Sequence, residues 1–222
     1  MSRPTPIEIV CPYCAAKNRL KVWLNLNARV DGLQIENAQS GKLFEVECKA
    51  CKNDIPLEHS LHFHDPDGKR YYRFDAPSGG LQANLEELPH GGAEYTLRRA
   101  ADFSSLLELL HIWKECLEDA PMLLMKHMLA AEVEQQAGNP PMICNFSHVD
   151  RSSGEQTLEF VVIETEEGDG QNAGVPFSLY NLLKDKLAHV KDRFFPVGVW
   201  IDWDHITAKG VFELINIGEP SK

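Results

Sequence analysis

Two pairs of cysteines constrain this chain more than anything else in it: Cys11-Pro12-Tyr13-Cys14 and Cys48-Lys49-Ala50-Cys51. Each follows a short strand-like run, Ile7-Glu8-Ile9-Val10 before the first and "KLFEVE" before the second. A two-residue gap lets both sulfurs of a pair reach one tetrahedral ion at about 2.3 Å. Two such pairs make the complete ligand set of a Cys₄ structural site. The 33 residues between the pairs exceed the usual spacing of about 15–20. Closing a loop twice as long costs only about 0.6 kcal/mol more, whereas structural zinc contributes on the order of 10–16 kcal/mol. The sequence therefore predicts one structural Zn²⁺ held by Cys11, Cys14, Cys48 and Cys51. Four protein ligands leave no open position, so this ion is expected to be structural and not catalytic.

A C-x-x-C pair can also be a thiol–disulfide centre, here through Cys11 and Cys14. That chemistry needs the first sulfur held as thiolate, commonly at a helix N-terminus. The residues after Cys14 lack helical periodicity. Leu20, Val22, Leu24 and Leu26 alternate with polar or aromatic residues, which is the period of a strand. The only Val-Pro, Val175-Pro176, lies much farther from the pair than in glutaredoxins. The oxidoreductase reading is retained as a third alternative.

The chain reads as α+β: an N-terminal β-rich zinc-ribbon domain over 1–75, a linker over 76–92, and an α+β domain over 93–222. In the first part Asp31-Gly32 reads as a hairpin turn with Leu33 and Ile35 on the return strand, and Asp65-Pro66-Asp67-Gly68 as a turn between "LHF" and "RYYRFD". The linker holds clustered glycines and prolines, with a brief helical turn possible at Asn84–Leu88. In the last part about three helices are expected. One is capped by Asp102, one starts near Pro121 and ends before Gly138, and one is capped by Ser178 with Leu179, Leu182, Leu183, Leu187, Val190 and Phe194 along one side. Antiparallel hairpins are expected from "MICNFSHV" with "TLEFVVIE" and from "VGVWIDW" with "GVFELINI", and "EEGDGQNAG" reads as an acidic loop.

Net charge is −11, with +1 over residues 1–75 and −12 beyond them. Phosphate-backbone binding needs concentrated Lys and Arg, and only Lys17, Arg19, Lys21 and Arg29 approach a cluster. A solvated strand face is expected there, and a nucleic-acid partner is not. No apolar run is long enough for a membrane span and no signal-peptide core is visible, so a cytoplasmic protein without membrane association is expected. Six cysteines in that compartment read as ligands or buried thiols.

Four further groups of residues stand out. His59, His62 and His64 lie close together, and His62, His64 and Asp65 could form a second metal site; a polar strand edge is the expectation. Asp202 and Asp204 share a strand face beside His205, with Glu159 on a neighbouring hairpin. Such carboxylates could hold a divalent ion in a hydrolase or nuclease, but no glycine-rich phosphate loop accompanies them, and turn chemistry is expected instead. Cys116 and Cys144 read as buried structural thiols. Trp200 and Trp203 fall on opposite faces of one strand, one of them in the core.

The N-terminal third resembles the CpXC family of bacteria and archaea. It is similar in its C-P-x-C pair behind a first strand, a second pair some thirty residues on, and an aromatic-His-Asp run at Phe63-His64-Asp65. The second pair departs from the pattern, with Lys49 in place of proline. The resemblance implies metal binding and no established activity. Taken together, a zinc-binding, non-enzymatic protein-interaction module is expected, with an unidentified protein partner. The alternative is a metal-dependent hydrolase or nuclease using Asp202 and Asp204.

Overall fold

A computed structural model describes residues 2–203 apart from positions 78, 85–86, 153, 166–167, 169, 190–191 and 193–194. The chain is α+β and forms two compact units. One comprises residues 1–107 and 197–203; the described part of the other is 108–196.

The first unit opens with a two-stranded antiparallel sheet of β1 (Thr5–Val10) and β2 (Lys17–Val22). The alternating run from Leu20 to Leu26 does not stay in one strand. It leaves β2 after Val22 and enters β3 (Asn25–Asn27) in a different sheet, with Val22 and Leu26 both buried. The Asp31-Gly32 hairpin is replaced by a helix, α1 (Gly32–Gln39). The carboxylate of Asp31 accepts the Asn27 amide at 2.7 Å, and its carbonyl accepts the Ile35 amide at 2.9 Å. That starts an i→i+4 ladder, and Ile35 and Ala38 face inward one turn apart. A second two-stranded sheet follows, β4 (Glu45–Glu47) with β5 (Asp54–Pro56).

The main sheet of this unit runs β12–β8–β7–β6–β3, with β6 (Leu61–Asp65), β7 (Arg70–Phe74), β8 (Thr96–Ala100) and β12 (Trp200–Asp202). The expected hairpin of β6 and β7 is present, and Asp65 Oδ1 accepts the amides of Asp67 and Gly68 to fix its turn. The other three pairings, β3–β6, β7–β8 and β8–β12, are parallel. The described residues of the stretch 76–92 include several that are bonded in place. Leu81 exchanges backbone hydrogen bonds with Glu58 and Ser60, Gln82 bonds the Ala76 carbonyl, and Pro89–Gly92 forms a 3₁₀ turn. The turn expected at Asn84–Leu88 includes positions 85–86, outside the described residues. Because β8 completes the exposed side of β7, the boundary between compact units does not fall at 76–92. It falls inside α2 (Phe103–Lys114).

Asp102 caps α2 as expected, its Oδ1 accepting the Ser105 amide at 2.7 Å. The helix ends in a Schellman turn: Leu117 N–H reaches the Ile112 carbonyl, Cys116 N–H reaches that of Trp113, and Cys116 is left-handed at φ 55°. That geometry turns Cys116 outward, so it is exposed and not the buried thiol expected.

In the second unit α3 (Asp119–Ala137) carries Pro121 in its first turn and stops at left-handed Gly138. The antiparallel sheet is β11–β10–β9, from β9 (Ile143–Asp150), β10 (Thr157–Ile163) and β11 (Gln171–Pro176). The end of the expected acidic loop is thus an edge strand. It lacks alternation because it is largely exposed, and its Gly174 lies opposite Glu159. Helix α4 (Phe177–Leu187) starts one residue before Ser178, with Pro176 at the cap, and buries Tyr180, Leu183 and Leu187. Leu182 is half exposed, and Val190 and Phe194 lie outside the described residues. Glu108 is buried and accepts both the Lys126 ammonium at 2.7 Å and the Phe146 amide at 3.0 Å, joining α2 to α3 and β9. Of the expected last hairpin, β12 pairs with β8 in parallel, and the second strand, "GVFELINI", lies outside the described residues.

Candidate metal centre

Both cysteine pairs sit in the turns of antiparallel hairpins, Cys11 and Cys14 between β1 and β2, Cys48 and Cys51 between β4 and β5. The turns repeat one another bond for bond. Cys11 N–H donates to the Ala16 carbonyl and Ala15 N–H to the Cys11 carbonyl; Cys48 N–H donates to Asn53 and Lys52 N–H to Cys48, all at 2.9 Å. Neither pair stands at a helix N-terminus, the placement that activates a redox dithiol.

The four sulfurs lie within 4.8 Å of one another. Two cross-pair separations, Cys11–Cys51 and Cys14–Cys48, are 3.7 Å. A tetrahedral ion with bonds of about 2.3 Å requires sulfur–sulfur edges of about 3.8 Å. The spacing therefore fits a tetrahedral thiolate site and is far longer than a disulfide bond, about 2.05 Å. Cys11 and Cys48 are buried beside Ile55, with Ile9, Ala16, Val46 and Cys51 packed around them; Cys14 is exposed. The amides of Cys51 and Ala50, with help from the Asn18 side chain, hold the Cys48 thiol down at about 6. At Cys14 the Ala16 amide favours thiolate, but the neighbouring Cys51, Cys11 and Cys48 thiols and desolvation outweigh it and push the group up to about 12. One sulfur is ready to ionise and another resists joining it. A divalent cation is what lets four thiolates share so small a volume.

Asn18 is the residue of this site that the sequence reading missed. It sits on β2, opposite Ile9, and is 3% exposed. Its amide nitrogen donates to the Ala16 carbonyl at 3.1 Å and approaches Cys48 Sγ at 3.5 Å; its oxygen accepts the Lys49 amide at 3.1 Å. The only trace in the sequence is one uncharged residue between Lys17 and Arg19.

The other candidates do not converge. Strand β6 is internal, not a polar edge, and its residues are all buried. His59 bonds the Ser60 and Leu43 carbonyls and stacks on Phe44, His62 contacts Asp75 and Tyr71, and His64 contacts Tyr95. Asp202 accepts Arg99 at 2.7 Å and Glu159 accepts the Thr157 hydroxyl at 2.8 Å; Asp204 and His205 lie outside the described residues. Trp203 is the core tryptophan, fully buried, while Trp200 lies between the Arg73 and Arg99 guanidinium groups. Among the described residues the four cysteines are the one group of three or more such side chains placed to share an ion. Cys144 is buried, and burial pushes its thiol up to about 12. Lys17 and Arg19 both pair with Glu8, and Arg29 pairs with Asp67, so three of the four basic residues noted above are met by carboxylates.

No curated protein and no solved structure matches the chain. A family model described as "CpXC protein" matches residues 9–126. That match takes in both cysteine pairs and extends beyond the N-terminal third, through β8 and α2 into α3. With more than half of its residues matched, the chain belongs to the CpXC family.

Proposed function

We propose that the four cysteines hold one structural zinc ion and that the chain is a non-enzymatic interaction module built around it. The observation that carries this reading is the cluster of four free thiols on two matching hairpin turns, within 4.8 Å of one another. Zinc suits an all-thiolate tetrahedral set and a reducing compartment such as the cytoplasm. Among the described residues no helix is long and apolar enough to cross a membrane. The ion closes a small sheet pair that has little core of its own, and its saturated ligand set leaves no position for a substrate. Val10 and Tyr13, 59% and 62% exposed beside the first pair, offer the apolar contact area on which a protein partner could settle.

The test is metal analysis of the full chain purified without a metal-binding tag, followed by alkylation of the native protein. One zinc per chain and a single fast-reacting thiol, Cys116, are expected, because four sulfurs are committed to metal and Cys144 is buried. A metal-free protein with rapidly alkylated Cys11 or Cys14 would overturn the reading in favour of thiol–disulfide chemistry.

A further inference from the structure

The two hairpins match at their turns but not at the position seven residues beyond each first cysteine. Beyond Cys48 that position is Ile55, 5% exposed and packed on the sulfurs; beyond Cys11 it is Asn18, 3% exposed and polar. A buried amide has to be matched at each of its atoms. Its nitrogen faces two acceptors, the Ala16 carbonyl and Cys48 Sγ, and its oxygen faces one donor, the Lys49 amide. Turning the amide over would set oxygen against oxygen and nitrogen against N–H, so only one orientation satisfies the site. Through these bonds a residue of the first hairpin holds both the backbone and the sulfur of the second.

We propose that Asn18 is the positioning residue of the metal centre: it docks the β4–β5 turn on β2 and donates an N–H···S bond that, together with the Cys51 and Ala50 amides, makes Cys48 the least nucleophilic of the four ligands. The proposal rests on the metal reading above. An N–H donor draws electron density from a metal-bound thiolate. That lowers the sulfur's reactivity and raises the energy of sulfur-to-metal charge transfer. It also sets the ligand's direction before the ion arrives, as outer partners of metal ligands do.

The experiment uses the full chain loaded with Co²⁺, whose sulfur charge-transfer bands report the ligands directly. Two variants remove the N–H···S bond. Asn18→Ile removes it together with the bond to Lys49, and Ile55 at the matching place indicates that a buried apolar side chain fits there. Asn18→Asp keeps an oxygen for Lys49 and replaces the N–H donor. For Asn18→Ile, Co²⁺ and Zn²⁺ affinities measured against a competing chelator should fall about 10–100-fold. The charge-transfer band should move to lower energy, and metal-bound Cys48 should be alkylated faster. Asn18→Asp, which sets a charged oxygen against the Ala16 carbonyl and Cys48 Sγ, should lose at least as much metal affinity as Asn18→Ile. Wild-type affinity and band position in Asn18→Ile would overturn the role of Asn18 alone. A wild-type chain that takes up no cobalt would overturn the metal reading with it.

Discussion

Ala15 and Lys52 occupy the same place in two different hairpins, each the fourth residue after a first cysteine and each left-handed, at φ 58° and 66°. Each donates its amide to the carbonyl of that cysteine. The conformation turns the chain back, so that the carbonyls of Ala16 and Asn53 accept the Cys11 and Cys48 amides, and it is one that glycine adopts without strain.

Glycine at position 15 should therefore stabilise the metal-loaded chain. A left-handed alanine costs about 1–2 kcal/mol, and glycine returns about 0.5–1 of that through its freer unfolded chain. A net gain of about 0.5–1 kcal/mol is expected for Ala15→Gly, and a loss of about 1–2 for Ala15→Val, whose branched Cβ tolerates the conformation least. Lys52→Gly should gain less, because Lys52 also pairs with Glu47. Urea midpoints of the three variants decide the matter; a stabilised Ala15→Val would contradict it.

Removing the metal should loosen the hairpins and spare the main sheet. An isolated two-stranded sheet is marginal in water, and β1–β2 and β4–β5 meet through the small cluster around Cys11, Cys48 and Ile55 and the bonds of Asn18. The five-stranded sheet buries Leu26, Leu61, Phe63 and Tyr72 on its own account. Chelation, or Cys11→Ser, should speed amide exchange in β1, β2, β4 and β5 by more than about tenfold while β6, β7 and the β9–β10–β11 sheet keep their protection. Equal loss of protection in all sheets would show instead that the ion supports the whole chain.

Stability should also fall below neutral pH through His62. The ring is buried and touches Asp75 at 3.3 Å and the Tyr71 hydroxyl at 3.2 Å. Burial lowers its pKa below 6.5; Asp75 opposes that and Arg73 adds to it. A depressed histidine pKa means that the unfolded chain binds the proton first as pH drops. Stability contributed by neutral His62 is thus full above about pH 6.5 and declines below it, by at most about 1.4 kcal/mol per pH unit, until the folded ring is itself protonated. Urea unfolding between pH 5 and 8 should show a shallower dependence in His62→Gln than in wild type. Parallel profiles would assign the acid sensitivity to other groups.

What could be read from the sequence was local. The two C-x-x-C pairs, the Asp102 cap, the Gly138 stop and the Asp65 turn are each decided within a few residues, and all are where the sequence placed them. Helix α1 was not legible, because eight residues with two buried positions carry too little periodicity to compete with an Asp-Gly turn signal. The parallel pairings of β8 were not legible either, since its neighbours β7 and β12 are chosen across long stretches of chain. Edge strand β11 has no alternation to detect. Asn18 escaped for a related reason: its side chain answers to Cys48 and Lys49, some thirty residues away.

Strand β12 gives the order of synthesis a structural meaning. Among the described residues the sheet that begins at β3 ends on Trp200–Asp202, which is made after all of β9, β10, β11 and α4 have left the ribosome. Until then β8 keeps an open edge, and Trp203, which ends up fully buried, has not been made. A fragment cut at residue 126, where the family match stops, retains all four clustered cysteines yet leaves that edge without β12, and an unpaired edge is a template for another chain. A fragment meant to keep this sheet whole therefore has to reach β12, well beyond its cysteines.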